Sequence, residues 1–491
     1  MASKRFAWLV VVTIVAVILW SPLIAQDARA VIDAASKAMG TVNLQAVEYS
    51  AASGSTYAVG QAPGPGKPWP RFTITRYTAL INYSVPVMRE QTVRIDDAKP
   101  PRGGGAGPYV PETQQGGIRP IPFGPQTANA VRDGRTENGA LQIWLTPHGF
   151  LKGAAANSAT VRAGTQRGRR DVSFRAFDRY TITGTINDEN LVERVQTTVA
   201  NPLYGDMILE AIYSEYRDVT GVKFPMRIVL RQGGFPSLEL RLATVQPNSA
   251  VALAVTAPER PAAQAAPQPA RAPAKEIAPG FWALEGSIPM SFLVEFRDFV
   301  VIIEATGNEQ RTEAVLAEVR RLVPSKPIRY VVNTHQHSDH SGGLRAMVAE
   351  GIPILTHQVN TAFYEKMLRN PATVAPDTLA RNPRAPMLEG VTDRKVITDG
   401  TKTIEVHHVR GNLHDEGLLM VYFPKERLLL QADAYAPRPP GAKPLPGSPY
   451  TTNLYENVQR LKLNVDQMVH VHGGMDPIAK LAEAANRRGT N

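Results

Sequence analysis

His335, His337, Asp339 and His340 fall within six consecutive positions of the run Thr334-His-Gln-His-Ser-Asp-His-Ser-Gly-Gly343. Clustering this tight has no packing rationale. A metal ion requires neutral imidazoles and ionised carboxylates converging on one point, and a short run at the end of a strand supplies several of them at once. The chain of 491 residues contains no cysteine, which excludes disulfides, thiolate metal sites and a cysteine nucleophile. Any metal must therefore be held by His, Asp and Glu.

All histidines except His148 lie beyond residue 330, and several sit at strand ends, where scaffolds place chemistry. His414 follows a strand in the loop Gly411-Asn-Leu-His-Asp-Glu-Gly417. Asp433 ends the apolar strand 427–432. His470 and His472 close the strand of Val469-His-Val-His-Gly-Gly474 on one shared face, and the Gly-Gly that follows favours His472 as the site residue. His407 and His408 are strand neighbours and point to opposite sides, so they cannot both face a cleft. Of His357, His407, His408 and His470, any that does not ligate is expected to take a supporting or surface role.

The elements that must position these residues follow an α/β rhythm. Strands are expected at 280–284, 291–296, 299–303, 327–333 and 352–355, with helices at 312–322, 344–350 and 361–368; the strand 327–333 feeds straight into the histidine cluster. Upstream, alternating and β-branched stretches at 77–85, 141–145, 180–186, 191–198, 209–213 and 226–231, separated by turns at 187–190 and 218–222, describe an antiparallel β-rich domain. Its one histidine, His148, is assigned no chemistry. A Gly- and Pro-rich excursion spans 99–124, and 250–274 reads as an Ala/Pro-rich linker. The expected organisation is a signal peptide at 1–30, a β-rich domain at 31–249, the linker at 250–274 and an α/β domain at 275–491.

The first residues read as an export signal: Lys4 and Arg5, an apolar run from Phe6 to Trp20, then small residues at Ala25, Ala28 and Ala30. Cleavage after Ala30 fits the small-x-small rule better than cleavage after Ala25; an uncleaved membrane anchor is the competing reading. Either places the protein outside the cytoplasm, periplasmic or secreted, with envelope association through an uncleaved signal or the N-terminal domain. The net charge of +10 comes without a dense Lys/Arg run, Arg167-Gly-Arg-Arg170 being a short exposed turn, so no nucleic-acid partner is expected.

Taken together, Thr334-His-Gln-His-Ser-Asp-His-Ser-Gly-Gly343, His414 in its Gly-flanked loop, Asp433 at a strand end and His472-Gly473, in that order, resemble the metallo-β-lactamase superfamily over residues 275–480. The resemblance implies an αββα sandwich. It also implies that His335, His337 and His414 ligate one metal, that Asp339, His340 and His472 ligate a second, and that Asp433 bridges them, with two zinc ions per chain as the default. Histidine at 337, where the flavodiiron branch places a glutamate, argues against that oxygen chemistry. A bridging Asp433 is closer to glyoxalase II and related hydrolases than to the β-lactamases proper. The β-rich domain for its part resembles the curved sheets of lipoprotein-carrier proteins, which implies an apolar groove.

The function this implies is an exported dinuclear-zinc hydrolase in which a metal-bridging hydroxide, oriented by the catalytic Asp339, attacks an ester, thioester, lactone or amide-type small molecule. Tyr435, Arg438 and Tyr450 can reach such a substrate from the proline-rich loop after Asp433. Two alternatives stand beside it: a mononuclear iron oxygenase of the persulfide-dioxygenase type, and a ligand-binding envelope protein in which the N-terminal domain dominates.

Overall fold

The computed structural model describes residues 27–104, 126–257, 270–437 and 448–486. Most of the expected signal peptide, most of the Gly/Pro-rich excursion, the middle of the Ala/Pro-rich stretch and Arg438 lie outside them. Among the described residues no helix is long and apolar enough to cross a membrane.

Between Ala46 and Pro247 eleven strands form one sheet, every neighbouring pair antiparallel where the register is defined. The chain starts in the middle of this sheet at Ala46–Tyr57 and steps outward through Arg71–Asn82 and Val87–Ile95 to Gln126–Asp133. It then crosses to the far edge at Thr160–Ala163 and returns strand by strand to Phe235–Pro247, which pairs with Ala46–Tyr57. One face is covered by a helix over 27–38 and by the helices Glu137–Trp144 and Pro147–Ala156, which bury Ile32, Leu141 and Phe150 among Tyr49, Ile81 and Phe224.

The segment 141–145, expected as a strand, belongs to one of these helices. Thr136 caps it by accepting a hydrogen bond from the Gly139 amide, and Ala140, Leu141 and Ile143 lie buried against the sheet. The start signal of a Thr cap followed by an acidic residue outweighs the local β-branched content. His148 is fully buried, its ring stacked on Phe224 with centroids 5.3 Å apart and its Nε2 3.3 Å from the Met39 carbonyl, in keeping with a structural role. Within the stretch expected to be a linker, Ala250–Leu253 forms a helical turn tied to the sheet by the Asn82 side-chain amide, which donates to the Leu253 and Val255 carbonyls.

The C-terminal domain is a two-sheet sandwich flanked by helices. A seven-stranded sheet runs from Ala274–Ala278 to Leu388–Val391, antiparallel in its first half and parallel from Val300–Ile303 onward; a six-stranded sheet follows from Arg394–Thr398 to Met475–Pro477. The strands are apolar on both faces, and alternation divides them. Phe292, Val294, Val301 and Ile303 meet Val406, Val421 and Leu430 of the second sheet between the layers. Leu293, Val300 and Ile302 face outward onto Val315, Leu316 and Val319 of the helix Glu309–Leu322. On the opposite flank Leu454 and Val458 of the helix Pro449–Arg460 cover Met420, Leu429 and Met468. This is the αββα arrangement, joined to the large antiparallel sheet that precedes it.

Candidate metal centre

The strand Ile328–Val332 lies between two parallel neighbours and ends at the floor of the cluster. Beyond it His337 sits on extended backbone, and the single turn Ser338–Ser341 carries Asp339 and His340. The two glycines that close the motif are required by close approach: a Cβ on Gly342 would lie 2.0 Å from the Gly307 carbonyl oxygen, and one on Gly343 would lie 2.0 Å from Thr312 Oγ1.

The second sheet brings the remaining residues. His414 arrives from the loop before Leu419–Phe423, its amide held by Asn412 Oδ1 at 2.9 Å. Asp433 follows Leu428–Gln431 in left-handed backbone with φ 59°, a conformation that Asp tolerates better than most residues. The strand carrying His470 ends at that residue, so His470 and His472 do not share a strand face as expected. The turn sends His472 to the cluster, while His470 packs against Gln431, Tyr435 and Asp476.

Asp433 stands between two groups. Its Oδ2 lies 3.1 Å from His414 Nε2 and 3.8 Å from His335 Nε2; its Oδ1 lies 3.1 Å from His340 Nε2 and 2.8 Å from His472 Nε2. His335, His337, His414 and Asp433 each offer a ligand atom within 4.8 Å of the others, and so do Asp339, His340, Asp433 and His472. All seven residues singled out in the sequence therefore meet at one place. His357, His407 and His408 do not: His408 contacts His357 and the Glu416 carbonyl, and His407 contacts Glu405.

A surrounding layer holds these side chains. Thr334 Oγ1 is 3.0 Å from His335 Nδ1, which leaves Nε2 turned to the cluster. His340 Nδ1 is 3.3 Å from Glu304 Oε2, and the other carboxylate oxygen of Glu304 accepts from the Thr334 amide. His337 Nε2 is 2.9 Å from the Ala62 carbonyl, and its Nδ1 is buried with no hydrogen-bond partner. Outer partners of this kind fix the tautomer and orientation of a ligating imidazole. Glu304 was not singled out in the sequence, although a carboxylate directly after the wholly apolar run Val300–Ile303 is a readable signal of a buried polar role.

Burial pushes His337 down to about 3 and holds His335 well below the usual imidazole range, with neighbouring histidines adding to the effect at both. Both are thus neutral, the form that binds metals. At His340 burial also disfavours charge, but Asp433, Asp339 and Glu304 together hold the ring well above its ordinary value. At His472 burial again opposes charge, and Asp433 overcomes it. A buried patch this rich in carboxylate calls for positive charge, and the donor set of imidazole nitrogens and carboxylate oxygens fits zinc in two adjoining positions. Tyr450 comes to the site, its ring 5.4 Å from His414, whereas Tyr435 is drawn to His470 and Asp476.

A helix-flanked double sheet with a His/Asp cluster at its strand ends defines a hydrolase-like fold with a candidate metal site. Residues 285–469 match the family model described as the metallo-beta-lactamase superfamily. Among solved structures, a metallo-beta-lactamase from Pontibacter korlensis is similar at 18% identity over 45% of this chain and 99% of its own, with a TM-score of 0.35. The DIM-1 metallo-beta-lactamase is similar at 16% identity over 44% of this chain and 96% of its own, with a TM-score of 0.34. TMB-1 is similar at 16% identity, 44% and 96% coverage and a TM-score of 0.34. No curated protein matches the chain.

Proposed function

We propose that the protein is an exported hydrolase that works with two zinc ions and cleaves an ester, thioester, lactone or amide-type small molecule. The observation that carries this reading is the division of Asp433, one carboxylate oxygen toward His335 and His414 and the other toward His340 and His472. A donor set built for a single ion has no need of a carboxylate turned both ways, which weighs against the mononuclear iron oxygenase.

In this reading His335, His337 and His414 would hold one zinc, Asp339, His340 and His472 would hold the other, and Asp433 would be shared. Bound zinc lowers the pKa of water toward about 7 and polarises a carbonyl oxygen. The chain's own residues do the rest. The buried imidazoles of His335, His337 and His340 exclude bulk water from the inner side of the site. The outer side opens at His472 and Asp339, whose side chains are 37% and 26% exposed, so substrate enters there. Asp339, more exposed than Asp433, would orient the attacking water on that side. Tyr450, beside His414, lines the approach.

Export rests on Lys4, Arg5 and the apolar run to Trp20, and the absence of cysteine suits any oxidising compartment. Metal analysis of purified protein together with assays on thioesters, lactones, amides and esters tests the reading, with His335→Ala as control. Two zinc ions per chain and hydrolysis abolished by that substitution are expected; one iron per chain, or activity surviving His335→Ala, overturns it. N-terminal sequencing of the protein recovered from outside the cytoplasm tests export.

One observation favours a second role for the N-terminal domain. A cavity of about 250 Å³ lies between the helix Glu137–Trp144 and the sheet, mostly apolar, with Leu141, Leu209, Leu230 and Leu238 among its walls. This suits an apolar small molecule, and saturable binding of a fluorescent fatty acid, lost in Leu209→Trp, is the outcome that supports it.

A further inference from the structure

The connection between the N-terminal strands Ala46–Tyr57 and Arg71–Asn82 does not return directly; it reaches across to the C-terminal domain and lies on the metal centre. Gln61 is buried, 4% exposed, and its Nε2 donates to Asp339 Oδ1 at 2.9 Å. The next residue, Ala62, turns its carbonyl to His337 Nε2 at 2.9 Å and accepts a second hydrogen bond, also 2.9 Å, from Gln336. One residue earlier, the Gly60 carbonyl accepts from the Ser338 amide at 3.2 Å. Three consecutive residues of one domain thus meet four consecutive residues of the other, 336 to 339.

The contact is built rather than incidental. Gly60 has φ +76°, and a Cβ there would fall 2.7 Å from Ser338 Oγ, so only glycine lets the backbone come this close. The loop is pinned on both sides of Gln61. Gly104 donates to the Gln61 carbonyl at 3.0 Å, and the preceding Gly103 donates to the Leu413 carbonyl, next to His414, at 2.8 Å. Beyond Ala62, Lys67 pairs with Glu416. The sheet that carries this loop is held in turn by its own core, so the loop has a rigid base.

We propose that Gln61 and the Ala62 carbonyl are positioning groups of the metal centre, so that the N-terminal domain completes in cis a site whose candidate ligands all belong to the C-terminal domain. The inference rests on the two-metal reading above. The Ala62 carbonyl holds the proton of His337 at Nε2 and leaves the buried Nδ1 free to ligate. The Gln61 amide engages one oxygen of Asp339 and leaves Oδ2 toward His340, on the side of the second metal position. Deleting Gln61 should therefore weaken the metal bound by Asp339, His340 and His472 and spare the other.

The test is titration of the full-length chain, stripped by a chelator, with Co²⁺ alone, following the visible absorption and the heat of binding. The wild-type chain takes up two ions. Gln61→Leu, which keeps the bulk and removes the donor, is expected to weaken one of the two by about 10- to 100-fold. The other ion and the melting temperature of the stripped protein stay as in wild type. Gln61→Asn keeps the amide a methylene short of Asp339 and is read in the same way should Gln61→Leu fail to fold. Unchanged affinities for both ions in a folded variant overturn the inference while leaving the hydrolase reading intact. A wild-type chain that binds fewer than two ions overturns both.

Discussion

His472 and His470 are two residues apart, yet only His472 reaches Asp433, its Nε2 lying 2.8 Å from Oδ1, while the His470 ring is buried against Gln431 and Tyr435. The strand ends at His470, and Gly473 and Gly474, with φ of 97° and 88°, take the chain through a turn that L side chains rarely follow. His472→Ala is accordingly expected to reduce the metal content from two ions per chain to about one and to abolish hydrolysis. His470→Ala should retain both ions. Metal content by mass spectrometry separates the two variants, and the reverse pattern would exchange their roles.

Glu304 is wholly buried at φ 72° and faces His340 Nδ1 at 3.3 Å. Glu304→Gln keeps the shape and removes the charge that steadies the imidazole. A loss of about 10- to 100-fold in affinity for one metal is expected, with the fold intact by circular dichroism. Unaltered affinity would show that the carboxylate serves only the Thr334 amide.

Three carboxylates, Asp339, Asp433 and Glu304, converge around His340. Ions bound there stabilise the folded chain by mass action, by about 4 kcal/mol at a thousandfold excess over the dissociation constant. Chelation should lower the melting temperature, zinc should restore it, and calorimetry with and without the chelator checks both.

His148 carries a separate pH dependence in the N-terminal domain. Burial pushes its pKa down to about 4, so the folded protein keeps it neutral where the unfolded chain takes up a proton. The stability it supports is complete above the ordinary imidazole pKa of about 6.5 and is lost as pH falls toward 4; by pH 5 the loss is about 2 kcal/mol. His148→Phe should remove that part of the acid sensitivity. Denaturant midpoints at pH 7 and pH 5, compared between variant and wild type, measure it.

The layers of the C-terminal domain were legible because its strands are apolar on both faces and alternate with amphipathic helices, and the site was legible because its ligand types crowd at strand ends. The helix over Glu137–Trp144 is not legible from its short apolar run, which looks alike in either period; the Thr136 cap marks it as a helix. The choice between His470 and His472 rested on the Gly-Gly that follows, and the turn carried it further than strand alternation allowed.

The sequence by itself put forward the seven candidate metal-binding residues, because a metal site demands particular side chains: four crowd within positions 335 to 340, and the family resemblance supplies the other three. Tertiary structure alone decided which carboxylate oxygen faces which imidazole, and that Glu304 lies behind His340. It also decided that Gln61 and Ala62, some 275 positions upstream of the histidine run by their hydrogen bonds, lie on Asp339 and His337. A glutamine and a backbone carbonyl have no distinctive local signature; their role arises only when two separately folded sheets bring a loop and a cluster to the same point.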